Sequence, residues 1–183
     1  AWPARVGGDG GWGDERLAWR VRKGRTEDAG AWVQARSASA GTLGKPEFWS
    51  GQRRNLVRQL MRDGAHQTAY ELASSHHLTE GSHFADLEWL SGYLSLRFLD
   101  APDRAVSHFD AFLGAVATPI SLGRAGYWSG RAHEALGNET AAAQAYAFGG
   151  QYQTSFYGLL AAGRGGIAPD VRLAGNESFP NWG

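Results

Sequence analysis

Apolar positions recur every three or four residues along most of the chain, the spacing of amphipathic helices. Leu17, Trp19 and Val21 lie in a short charged segment that runs from Asp14 and closes at Gly24. Thr26 is placed to cap a helix carrying Ala29, Ala31, Trp32 and Ala35 on one side. Residues 37–45 are small and polar and predict a loop. Pro46 suits the first turn of a long helix in which Phe48, Trp49, Leu56, Val57, Leu60 and Met61 recur down to Gly64. Ala69, Tyr70, Leu72 and Ala73 form a second stripe, and residues 76–81 a connector. Ser82 is read as the cap of a strongly apolar helix through Phe84, Leu87, Trp89, Leu90, Leu94 and Phe98, broken by Pro102. Further stripes follow: Val106, Phe109, Phe112 and Leu113; Ile120, Tyr127, Trp128 and Leu136; an Ala-rich segment from Glu139 to Phe148; and a last short helix opened by Thr154.

Period-two alternation is rare and β-branched residues are few, so no strand is expected. The pattern predicts an all-α chain of eight or nine helices joined by short loops, which favour antiparallel neighbours. Residues 1–13 read as a flexible lead-in, 14–163 as one helical domain and 164–183, rich in Gly, Pro and Asn, as an extended linker.

An internal repeat sharpens this picture. LSGY at 90–93 falls on WSGR at 128–131, a shift of 38. RAVSHF at 104–109 falls on AAAQAY at 141–146, a shift of 37, and TAYELA at 68–73 is a fainter copy 36 residues before it. A period near 36–38, with Gly92 and Gly130 at matching places, is close to the tetratricopeptide class of helical hairpin. One hairpin cannot bury its apolar side alone, so stacked antiparallel hairpins, bending into an α-superhelix, are the expected architecture.

Composition limits the function. The 183 residues are 43% hydrophobic and 20% charged, a foldable mixture. Lys and Arg number 18, as do Asp and Glu, which argues against a nucleic-acid-binding domain. The charge is +3 up to residue 80 and −3 beyond it, reflecting the segment with Arg53, Arg54, Arg58 and Arg62. Cysteine is absent, which excludes disulfides, thiolate metal sites and a Cys nucleophile. No apolar run approaches the roughly 20 residues that span a bilayer, and the start AWPARVGGDGGWGD is not a signal peptide. The aromatic excess, 8 Trp among it, reads first as core and second as a platform for stacking a sugar or other ligand.

Candidate chemistry is sparse. His76 and His77 are adjacent, with His83 nearby; adjacent helical residues point about 100° apart, so a surface loop is the expected reading rather than a metal site. His133 and Glu134 lack the second histidine of a metalloprotease helix, since position 137 is Gly. GGDGG at 7–11 has no Lys and Ser and no preceding strand, so it is not a phosphate loop. Arg53, Arg54, Arg58 and Arg62 read as a solvated helix face, with contact to acidic peptide as the second reading. No nucleophile elbow is present. No catalytic residue, metal ligand or cofactor is expected.

Several phrases carry a family resemblance: ADLEWLSGYLSLRFL at 85–99, AVSHF at 105–109, TPISLGRAGYWSGRAHEALG at 118–137 and TSFYGLLAA at 154–162. From about residue 53 to 163 the chain resembles the helical superhelix region of periplasmic soluble lytic transglycosylases of the alphaproteobacterial type. The resemblance implies a parent enzyme that cleaves the β-1,4 bond of peptidoglycan glycan strands, leaving 1,6-anhydromuramoyl ends. A single Glu acts as acid and then base there, in a lysozyme-like domain that follows the helices. That domain is marked by a Glu-Ser pair on a helix and a Gly-Leu-Met-Gln stretch. This chain has no such stretch. Glu177 does precede a serine, but Pro180 follows and Gly175 precedes it, so a solvated linker carboxylate is expected. The implied role is a non-catalytic scaffold in the periplasm, its partners glycan strands and a catalytic domain missing from this chain. A tetratricopeptide-like protein-binding scaffold is the alternative.

Overall fold

The computed structural model describes residues 10–173 and residue 175. Among them are ten α-helices, one short 3-10 turn at Val171–Leu173, and no strand. The described residues divide into two compact units, one ending at Ala115 and the other beginning at Val116. This division falls inside the 14–163 span expected from the sequence.

The first unit holds α1 (Gly10–Arg22), α2 (Thr26–Arg36), α3 (Ala40–Leu43), α4 (Pro46–Arg62), α5 (His66–Ser74), α6 (Gly81–Arg97) and α7 (Pro102–Gly114). The helix α1 starts at Gly10, earlier than the expected Asp14 and inside the expected lead-in. The predicted loop at 37–45 contains the one-turn helix α3, which Ser39 and Thr42 close with a reciprocal capping box. Pro46 and Pro102 occupy first turns, where the missing N–H costs nothing. Helix α6 begins at Gly81, with Glu80 as N-cap, so Ser82 lies inside the helix and is not its cap. The core gathers Leu17, Val33, Trp49, Leu56, Leu87 and Leu94, each at most 2% exposed. Fully burying such a side chain stabilises by about 1.5–3 kcal/mol.

The second unit holds α8 (Pro119–Ala135), α9 (Glu139–Gly149) and α10 (Phe156–Arg164). Thr118 caps α8 through Ser121 N–H, and Ser155, rather than the expected Thr154, caps α10 through Gly158 N–H. Helix α8 packs on both α9 and α10. Its glycines make this possible. A methyl at Gly126 would stand 2.5 Å from the backbone of Gly149, and one at Gly123 would meet Ser155 Oγ at 2.6 Å.

The aromatic residues do not all join the core. Trp49, Phe109, Trp128 and Tyr146 are buried, but Trp19, Phe48, Phe98 and Phe156 are exposed. Apolar character alone therefore overstated the burial of these four rings. No helix among the described residues is long and apolar enough to cross a membrane.

Candidate functional site

The aligned repeat positions make the same contact twice. In the α6–α7 pair, Gly92 faces the ring of Phe109, and a methyl at Gly92 would meet that ring at 2.6 Å. In the α8–α9 pair, Gly130 faces the ring of Tyr146 in the same way. Four residues before each ring stands a buried alanine, Ala105 and Ala142. In each pair a small residue on the first helix admits an aromatic ring from the second, which brings the helices together.

Among the described residues, charge is buried in two places, both in the first unit. Arg53 is 1% exposed. Its guanidinium donates to Leu72 O at 2.6 Å, Ser75 Oγ at 3.2 Å and Ser37 Oγ at 2.5 Å. These acceptors lie at the C-terminal ends of α2 and α5, where free carbonyls and the helix dipole favour a cation. Burial lowers the guanidinium pKa to about 10. Arg54 pairs with Asp86 of α6 at 2.7 Å. The expected solvated arginine face is therefore corrected at both positions. Arg53 shares the core phase of Trp49, Leu56 and Leu60, and only Arg58 and Arg62 remain exposed.

The second place is Glu88 in α6. Its Oε1 lies 2.9 Å from His76 Nε2 and its Oε2 lies 2.6 Å from His108 Nδ1 of α7. Leu78 N–H donates to His76 Nδ1 at 2.8 Å, so the ring proton of His76 sits on Nε2 and points at Glu88. The Nε2 of His108 faces the Tyr70 hydroxyl of α5 at 3.3 Å, and the Arg104 guanidinium lies 4.7 Å from the centre of the Tyr70 ring. Burial alone would raise the Glu88 carboxyl, but the hydrogen bonds and charge of His108 and His76 outweigh it and hold its pKa at about 2. Glu88 is thus ionised at neutral pH, with both oxygens engaged. It orients two imidazoles and is not a proton donor in that range.

His76 is 5% exposed. The surface-loop reading of this residue is corrected, because a buried carboxylate gives its ring a partner. His77 is exposed, and its Nε2 reaches Ser37 O at 2.8 Å. The two imidazoles on Glu88 take opposite oxygens, and no group of three or more His, Asp or Glu among the described residues is arranged to hold a metal ion. In the second unit Glu134 accepts from Arg164 at 2.9 Å and lies 3.2 Å from Arg131 Nε, a partly exposed cluster. Burial, then the Glu134 carboxylate, raises the Tyr146 phenol. Glu177 lies outside the described residues.

Sequence reasoning passed over Glu88 and His108. A signal was present: Glu88 stands between Leu87 and Trp89 in an apolar helix, in phase with Ser91 and Ser95. No protein-family model, no curated protein and no solved structure matches this chain.

Proposed function

We propose that this chain is a non-catalytic scaffold of stacked helical hairpins. In this reading it serves as the helical wall that guides peptidoglycan glycan strands beside a lytic transglycosylase domain in the periplasm. The observation that supports the stack is the paired contact of Gly92 with Phe109 and Gly130 with Tyr146 at aligned positions. One unit fold used twice is what a solenoid requires. Helix α10 adds support. Gly158, Ala161 and Ala162 bury one side of it, while Phe156, Leu159 and Leu160 leave the other apolar and open. A helix apolar on both sides belongs inside a stack. The ligand rests on the resemblance of the segments at 85–99 and 118–137.

A tetratricopeptide-like protein-binding scaffold is the second reading. Alanine followed four positions later by an aromatic ring, at Ala105 and Phe109 and at Ala142 and Tyr146, matches that repeat's second helix.

Sedimentation of the purified chain with intact peptidoglycan sacculi separates the two. The first reading expects the chain in the pellet, with no anhydromuropeptide in the supernatant. Release of anhydromuropeptides would overturn the non-catalytic assignment. A chain that stays in solution would overturn the glycan assignment and leave the protein-binding scaffold.

A further inference from the structure

The connector between α5 and α6, residues 75–80, is tied down by histidine. His76 accepts the Leu78 N–H at Nδ1 and reaches Glu88 through Nε2, and its ring packs edge-on to Phe84 at 5.5 Å. His77 reaches Ser37 O while its backbone takes a φ of +55°, an uncommon conformation for a residue with a side chain. Ser75 Oγ bonds within the end of α5 and to Gln34 of α2.

We propose that this connector is a proton-sensitive latch on the joint between α5 and α6, with His76 as its sensor. Hydrogen-bond polarity sets this response. A neutral imidazole offers one donor and one acceptor, and His76 uses both, towards Glu88 and Leu78. A second proton can enter only at Nδ1, where it turns the acceptor into a donor facing the Leu78 N–H. Two donors then oppose each other at a site 2.8 Å across, and the Leu78 bond is lost. His108 is built the other way. Its Nδ1 already faces Glu88, and its Nε2 faces a hydroxyl that can accept as readily as donate. A proton added there leaves both contacts in place.

The charged and titratable groups on the surrounding elements include His77 of the connector, Arg53 and Arg54 of α4, Tyr70 and Glu71 of α5, His83, Asp86 and Glu88 of α6, and Arg104 and His108 of α7. Of these, only Glu88 bonds the His76 ring. Glu88 keeps its charge far below the range in which imidazoles titrate, about pH 5–8. A proton added to a cluster in which Glu88 is charged therefore enters an imidazole, and at His76 it opens the latch while Glu88 still holds His108.

Amide hydrogen exchange of Leu78 tests the latch, read as protection after correction for the intrinsic rate. Protection is expected to fall by roughly tenfold or more between about pH 7.5 and pH 5, as the local bond opens. His76→Asn supplies an acceptor oxygen near the place of Nδ1 that does not titrate, so its Leu78 protection should be the same at both pH values. His108→Gln should retain the pH dependence. Unchanged protection in the native chain, or undiminished pH dependence in His76→Asn, would overturn the proposal. Should His76→Asn not fold, nitrogen-15 spectra of the native chain decide. A proton on His76 Nδ1 together with a still-protected Leu78 amide rules the latch out.

Discussion

The two units hold their helices together by different means. In the first, ionised side chains sit inside: Arg53 ties the ends of α2 and α5, and Glu88 ties the connector after α5 to α7. In the second, the main chains themselves meet, Gly126 against Gly149 and Gly123 against Gly158. Yet each unit contains one helix pair with the same glycine-to-ring contact. One packing rule is thus supplemented by buried polar bonds in one place and by bare backbone in the other. The difference predicts that the first unit responds to pH and charge, and the second to added volume.

The largest effect is expected at Glu88. Glu88→Ala leaves His76 and His108 without their acceptor and should cost about 3–4 kcal/mol, measured by urea denaturation. Gly126→Ala should follow at about 3 kcal/mol, the upper part of the overpacking range, because the new methyl meets backbone that cannot rotate away. A loss below about 1 kcal/mol at either site would break the contrast between the units.

Acid sharpens the same contrast. The Glu88 carboxyl is depressed in the folded chain, from an ordinary value of 4.5 to about 2. Its contribution is complete above the unfolded value and lost as pH falls through the folded one. By linkage, about 3 kcal/mol should disappear between roughly pH 5 and pH 2. Glu88→Gln removes the titrating group, so the native chain's advantage over it should shrink across that window. A constant difference between the two denaturation series would contradict the burial of this charge.

The smallest effect lies at a glycine that meets nothing. A methyl at Gly51, in the middle of α4, has open space around it. Gly51→Ala should raise stability by about 0.5–1 kcal/mol through helix propensity and a stiffer unfolded chain. Destabilisation there, seen as a lower melting temperature, would mean that glycine in this molecule is not used for packing alone.

Much of the fold was legible in the sequence because helices write their period into it. The long stripes of α4, α6 and α8 gave their elements, Pro46 gave the start of α4, and Pro102 marked the break after α6. The repeat alignment put Gly92 beside Gly130 and Phe109 beside Tyr146 before any contact was visible. The buried charges were less legible. Arg53 falls in phase with Trp49 and Leu56, yet an arginine-rich helix reads as solvated when weighed by composition. Glu88 and its histidines come from three separate segments, and no local spacing announces that tertiary packing will join them. The helix α3 was hidden because four residues carry too little periodicity to register.

The pairs α6–α7 and α8–α9 are two uses of one glycine-to-ring contact. Paired double-mutant cycles test it most directly, combining Gly92→Ala with Phe109→Leu and Gly130→Ala with Tyr146→Leu. In each cycle the smaller side chain should make room for the methyl, so the double variant should be more stable than the two single losses predict, by about 1 kcal/mol or more. Additive losses in either pair would show that its glycine and ring do not share that space, and that the two hairpins are not the same unit.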